Sequence, residues 1–304
     1  MLPGDPAKAG VKDSRLNAAA IEELRARFGL DKEVLVDLDG PNPFDTQYFT
    51  YLGALSRGDL GTSYAFRDRN VSDLIGDALI NTLWLVLPSQ ALSIVLGTIL
   101  GLIAAWKRRT AIDVAALAFG LFMWSLPTFF LGIILLFLGA NWFHLPTSGR
   151  VTLGTDYASF WEAAGDVLRH LFLPTLTLTL VLLGEYLLIM RSSVLEVFSE
   201  DYILTARAKG LSTFRIIRDH ALRNAMLPLV TLIAINLGFT VSGAIQVESV
   251  FSWPGLGDLT VQAVAQRDYP VLQGAFLLLA VAVVIANLLA ELVYGLLDPR
   301  VVEA

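Results

Sequence analysis

Residues 80–106 contain no Asp, Glu, Lys or Arg, and neither do residues 114–139. An α-helix rises about 1.5 Å per residue, so each run is long enough to cross the roughly 30 Å of hydrocarbon in a bilayer. The runs 224–247 and 269–290 are equally free of charge, and 171–190 carries only Glu185. A backbone in lipid must satisfy its own polar groups, and segments of this length do so as helices. The pattern predicts an all-α, polytopic membrane protein with five apparent transmembrane helices. Composition agrees, because 55% hydrophobic residues, 16% charged residues and a mean hydropathy of +0.62 suit an aqueous surface poorly.

Charge decides the orientation. The connector WKRRTAID carries Lys107, Arg108 and Arg109, and the polar segment after the third run carries Arg207, Lys209, Arg215, Arg218 and Arg223, in a chain of net charge -6. Positive loops stay in the cytoplasm, so both face inward and the connections 140–170 and 248–268 face outward. Residues 1–75 then form an extracytoplasmic N-terminal region and residues 76–304 the transmembrane domain. The N-terminal region begins MLPGDPAKAG and continues into AAAIEELRARFGL, whose pattern predicts a helix, with no apolar secretion signal ahead of it. Phe44, Tyr48, Phe49, Tyr51 and Leu52 are expected to be buried in a small folded cap.

The segment from Asp201 to Pro228 is too regular for a loose connector. Tyr202, Ile203 and Ala206 can share one helical face, Gly210 permits a tight change of direction, and Ser212 can cap a second helix with Phe214, Ile217 and Ala221 as its apolar stripe. A basic amphipathic element of this kind lies under an anionic leaflet or docks on an acidic partner.

Polar and structure-breaking residues within the spans narrow the reading further. An ionised Glu185 in lipid is costly, so it must face protein, water or a cation, or hold a proton; an Arg191 partner six residues on and a pathway role are both open. Pro127, Pro174 and Pro228 either shape packing or bend helices around a moving pathway. In ESVFSWPGLGDL, Trp253 suits a membrane interface and Pro254, Gly255 and Gly257 a compact turn. Trp161, Glu162, Asp166 and Arg169 mark the other outer connection as a lid, a receptor contact or ordinary surface.

Little chemistry is written in the chain. There is no GxxxxGK[ST] phosphate loop, HExxH helix or GxSxG elbow, and Gly255–Gly257 lacks a dinucleotide fingerprint. With no Cys and with His144, His170 and His220 scattered, neither a thiolate site nor a histidine metal cluster is expected. The basic cluster is explained by membrane orientation, so no nucleic acid is expected.

The strings TARAKGLS and HALRNAMLP resemble the coupling loop of the first permease subunit of dipeptide and oligopeptide ABC importers. LPGDPA, RGDLG, FSWPGLG and YGLLDPR extend the resemblance over almost the whole chain. Thr205 and Leu204 stand near where a Glu and an Ala are usual in importers generally, and Pro228 lies farther from Gly210, both as in the peptide subgroup. The resemblance implies a type I permease fold with a sixth N-terminal span preceding the Leu2–Ala7 stretch, so Met1 is expected to be a late start. It implies a cytoplasmic coupling loop 191–223, with Tyr202, Ala206, Arg207, Lys209 and Gly210 at the ATPase contact. Phe251, Trp253, Pro254, Gly255 and Gly257 fall at the external gate or binding-protein contact.

The same resemblance implies a second homologous permease subunit, two cytoplasmic ATPase subunits that use ATP and Mg, an extracytoplasmic solute-binding protein and a peptide substrate. The chain itself holds no cofactor and is not an enzyme; it sits among membrane lipid in a bacterial or archaeal inner membrane. Permeases for nickel complexes or oligosaccharides share the pattern, while an ion-coupled secondary transporter or a nontransporting scaffold explains the coupling-loop spelling less well.

Overall fold

The computed structural model describes residues 22, 31–35, 37, 42–66 and 69–297. Their regular structure is helical: α1 (Gln47–Leu55), α2 (Val71–Trp106), α3 (Ala111–Ser125), α4 (Thr128–Phe143), α5 (Phe160–Val197), α6 (Asp201–Ala208), α7 (Thr213–Ile216), a π-helical turn (Ile217–Ala221), α8 (Leu222–Gly243), α9 (Ile245–Phe251), α10 (Leu256–Gln266) and α11 (Tyr269–Leu297). Val71–Trp106, Phe160–Val197 and Tyr269–Leu288 are each long and apolar enough to cross a membrane. At 36 and 38 residues, α2 and α5 extend about 54 and 57 Å, well beyond the hydrocarbon thickness.

The run 114–139 is not one straight helix. It is divided between α3 and α4, which are bent by 103° at the break and together make a fourth candidate span. Leu126 precedes Pro127 and takes an extended conformation, φ −72° and ψ 132°, because the proline ring disfavours a helical backbone in the residue before it. Pro174 and Pro228, by contrast, lie inside α5 and α8. Near them Thr177 donates to the Leu173 carbonyl at 2.9 Å and Thr231 to that of Leu227 at 3.1 Å, local bonds of the kind that accommodate proline within apolar helices. The fourth expected passage, 224–247, falls mainly on α8.

Two compact units are present. One comprises Met1–Ile80 and Asp258–Leu278, the other Asn81–Gly257 and Leu279–Ala304. In the first, the buried Asp268 carboxylate accepts from Ser63 Oγ and from the amides of Tyr64 and Ala65 at 3.2 and 3.1 Å, fixing the turn that leads towards α2. The aromatic cap expected here is not a buried core. Phe44, Tyr48, Phe49 and Leu52 are exposed; α1 has no buried residue, and the rings instead pack edge to face on one another, with centroids 4.9 Å apart for Phe44–Phe49 and 5.3 Å for Tyr48–Phe49. The expected helix at 18–30, the Leu2–Ala7 stretch and the Met1 start lie outside the described residues, apart from Glu22.

In the second unit α5 is the central element. Small residues let its neighbours approach the backbone: a Cβ on Gly184 would lie 2.4 Å from the Gly120 carbonyl oxygen of α3, and one on Gly97 of α2 would lie 2.6 Å from Tyr186 Cβ. This is the packing expected where lipid supplies no hydrophobic drive between helices. One buried cluster joins Tyr186, Met190, Val194 and Phe198 to Ile203, Ala206, Ile216, Ala221 and Leu229. A second joins Leu85, Leu173, Leu178, Val247, Phe251 and Trp253.

Candidate coupling surface, outer turn and intramembrane carboxylate

The polar segment folds as a helix, a turn and a second helix. Gly210 has φ +76°, a conformation that other residues adopt only with strain. Its amide donates to the Arg207 carbonyl at 2.9 Å and the Leu211 amide to that of Ala206 at 3.3 Å. These are the two bonds of a Schellman motif, and the half-buried Leu211 packs on the core beneath. Ser212 then accepts from the Arg215 amide and caps α7.

Tyr202, Arg207, Lys209 and Gly210 are exposed, whereas Ala206 is 4% exposed and lies with Ile203 on the core side. Ala206 thus supports the expected coupling surface from behind. Arg207 sits over the Phe198 ring, 5.6 Å from its centroid, and the Tyr202 hydroxyl accepts from Asn224 at 2.7 Å.

The second apolar stripe also differs from expectation. Phe214 is exposed, with its ring 6.1 Å from that of Trp106, and Ile216 and Ile217 are buried with Ala221. Of the expected stripe, Ile217 and Ala221 are buried and Phe214 is not. A π-turn follows, in which Leu222 donates to the carbonyl of Ile217, five residues back.

Sequence spacing gave no hint of what holds this region to the connector 107–110. Arg191 makes a two-pronged contact with the buried carboxylate of Asp113, Nε to Oδ1 at 2.6 Å and Nη2 to Oδ2 at 2.9 Å, and the Arg109 amide adds a third bond at 2.9 Å. Such bidentate pairs fix geometry as well as charge. Arg191 is therefore not the partner of Glu185. That carboxylate, partly exposed in the third apolar run, accepts from Asn236 Nδ2 at 3.0 Å; the same amide reaches Tyr186 Oη at 3.2 Å, and Gln90 donates to that hydroxyl.

The outer turn is built around Glu248, a residue sequence reasoning passed over. Its side chain is completely buried, with Thr82 donating to Oε1 and the Gly257 amide to Oε2, both at 2.7 Å. Thr82 in turn accepts from the Leu256 amide at 2.8 Å. A Cβ on Gly255 would lie 2.2 Å from Glu248 Oε1, and one on Gly257 would lie 2.5 Å from Ile245 Cα, so both glycines are required by close approach. Buried carboxylates demand such partners, and an acidic residue followed by glycines in an apolar chain was the signal available.

Trp253 is not a membrane anchor. It is fully buried and its Nε1 donates to the Asn81 carbonyl at 2.8 Å, while Asn81 Nδ2 donates to the Pro254 carbonyl at 2.8 Å. Phe251 and the two glycines are buried as well, leaving Pro254 exposed among the five residues expected at the external face.

The other outer connection is organised by Asp166, which precedes the apolar part of α5. It accepts from the Thr152 amide and hydroxyl at 2.7 and 2.8 Å and from the Tyr157 hydroxyl at 2.6 Å. Burial pushes its pKa up, but the Tyr157 and Thr152 hydrogen bonds, together with nearby His170, outweigh that and bring it down to about 2. A cleft of about 450 Å³ beside it is lined by Phe143, His144, Leu145, Pro146, Thr152, Asp166 and Arg169.

Membrane-spanning helices packed through glycines, with a basic helix–turn–helix between two apolar runs, define a polytopic helical permease. The chain belongs to the family of binding-protein-dependent transport system inner membrane components, which it matches over residues 97–303. It is 39% identical to a Brucella suis protein described as a peptide permease, over 99% of this chain and 90% of that one. It is 36% identical to the dipeptide transport system permease protein of Escherichia coli K12, over 99% and 91%. Its fold is similar to that of the inward-facing MetNI methionine ABC transporter, with a TM-score of 0.59 at 18% identity over 74% of this chain and 96% of that one.

Proposed function

We propose that the chain is the membrane-spanning subunit of an ATP-driven importer that carries dipeptides or oligopeptides across a bacterial inner membrane. The observation that carries this reading is the exposed basic face of α6, set by the Gly210 turn and backed by Ile203 and Ala206. Peptide permeases aligned over nearly the full chain support the substrate class.

In this reading two cytoplasmic ATPase subunits, which bind ATP and Mg, grip Tyr202, Arg207 and Lys209. Their closure pushes α6 against α5 through the shared core, so the pair formed with a second permease subunit alternates between inward- and outward-open states. An extracytoplasmic solute-binding protein delivers the peptide at the outer face, where Ser252 and Pro254 are the exposed residues of the turn Phe251–Gly257. The substrate is moved without covalent change, and hydrolysis belongs to the partner chains.

The test is reconstitution of the permease pair, ATPases and binding protein in liposomes. Labelled dipeptide should accumulate only with ATP, and Arg207→Glu with Lys209→Glu should reduce uptake while the complex still assembles. Uptake independent of ATP and driven by a proton gradient would instead identify a secondary transporter.

A further inference from the structure

Glu185 is the only Asp, Glu, Lys or Arg in the five apolar runs 80–106, 114–139, 171–190, 224–247 and 269–290. A carboxylate within an apolar span is costly, so an unopposed one needs a reason to be there. The two obvious structural reasons fail. Arg191, the nearest cationic residue along the helix, is committed to Asp113 by two hydrogen bonds. Among the described residues, Glu185 makes no ion pair; its hydrogen-bond donor is the neutral amide of Asn236, which occupies Oε2. Oε1 is left without a donor, and the side chain is partly exposed rather than sealed in the bundle.

The surroundings are polar and rich in acceptors. Asn236, Tyr186 and Gln90, from α8, α5 and α2, form one connected chain of hydrogen bonds ending at Glu185. Gln90, 2% exposed, has its Oε1 buried with no hydrogen-bond partner. A half-satisfied polar cluster in an apolar bundle is unfavourable unless something else completes it.

We infer that Glu185 is a subsite for the α-ammonium group of a peptide in transit, resting on the reading of the chain as a peptide permease. A primary ammonium carries three donors and no acceptor, the complement of a carboxylate oxygen that shares the Asn236 amide with a phenol. A metal cation fits less well, because no group of three or more His, Cys, Asp or Glu side chains able to hold one occurs among the described residues. The choice of ammonium also suits the cargo. Peptides differ in side chain but share a charged N-terminus, so a single carboxylate reads the common feature without selecting sequence. One exposed ion pair is weak enough to release what it binds.

The test uses the assembled permease and ATPase complex in lipid nanodiscs without the binding protein, so that selection at the delivery step does not intrude. Two probes are titrated: L-alanyl-L-alanine, and N-propionyl-L-alanine, which replaces the amino group with hydrogen. The wild-type complex should bind the dipeptide about tenfold more tightly than the analogue that lacks the ammonium group, Glu185→Gln should abolish that preference, and Glu185→Asp should keep part of it. Equal affinity of the wild type for both probes, no measurable binding of the dipeptide, or an undiminished preference in Glu185→Gln would overturn the assignment. The wild-type comparison decides by itself if the Gln variant does not assemble. ATP-driven dipeptide uptake by the complete system is measured in parallel: uptake without probe discrimination defeats only the subsite, whereas no peptide uptake at all defeats the permease reading on which it rests.

Discussion

The helix Asp201–Ala208 and the turn Phe251–Gly257 are both short, both rich in small or polar residues, and held in opposite ways. The helix presents Tyr202, Arg207 and Lys209 outward and rests on the core mainly through Ile203, Ala206 and the capping Leu211. The turn hides almost everything: Phe251, Trp253, Gly255, Leu256 and Gly257 are buried, and the main chain is tied to Glu248, Thr82 and Asn81. The helix is thus a surface that can be gripped, and the turn a plug-like packed element that resists deformation. An element that transmits force needs accessible side chains on a stiff backing, whereas one that closes a face needs its own interior.

If that contrast is right, small additions should be intolerable in the plug. Gly257→Ala puts a methyl 2.5 Å from the Ile245 main chain, which has no rotamer to yield, and should cost about 3 kcal/mol or prevent folding. Thermal unfolding of the detergent-solubilised chain measures it. Gly165→Ala, with nothing within 4 Å of the new Cβ, should instead be neutral or slightly stabilising, by less than about 1 kcal/mol. Equal melting shifts for the two would remove the plug from the account.

The inner element should fail in function before it fails in fold. Gly210→Pro cannot reach φ +76° and loses the amide bond to Arg207, so it should cost about 1–3 kcal/mol locally while reducing ATP-dependent uptake at least about tenfold. Normal coupled uptake by a folded Gly210→Pro complex would break the link between this turn and energy transmission.

Acid should separate the faces more gently. The folded pKa of Asp166 is depressed to about 2, so its contribution is present above the unfolded value near 4 and is lost as pH falls from there through about 2. Asp219, in the inner loop, is also held below the ordinary range by its hydrogen bond to Arg218, but that pair is exposed and should add little. Asp166→Asn should therefore flatten the acid limb of the stability profile, and Asp219→Asn should leave it nearly unchanged.

How far these regions were legible in the sequence follows from the range of the interactions that make them. Charge-free runs, the Gly210 turn and the Ser212 cap are local and could be read directly. The kink at Pro127 was visible as a proline, but nothing local distinguished it from Pro174 and Pro228, which remain inside helices. Ala206 was placed at the ATPase contact by resemblance alone, while its spacing put it on one face with Ile203, and both are buried. Phe214 was misplaced because the helix that carries it is only four residues long, too short for spacing to fix its face. Asp113 with Arg191, and Glu248 with Thr82, are 78 and 166 residues apart, and no spacing rule connects them.

The central claim, that the exposed face of α6 is the energy-transmitting contact, is most directly tested by cross-linking, for which a chain without cysteine is well suited. Thr205 is exposed one turn from Tyr202, while Ala206 is buried one residue on. In an assembled, transport-competent complex, Thr205→Cys should form a disulfide with a cysteine introduced in the groove of the ATPase subunit, and Ala206→Cys should not. No cross-link from Thr205, or an equal one from Ala206, would contradict the assignment of this face.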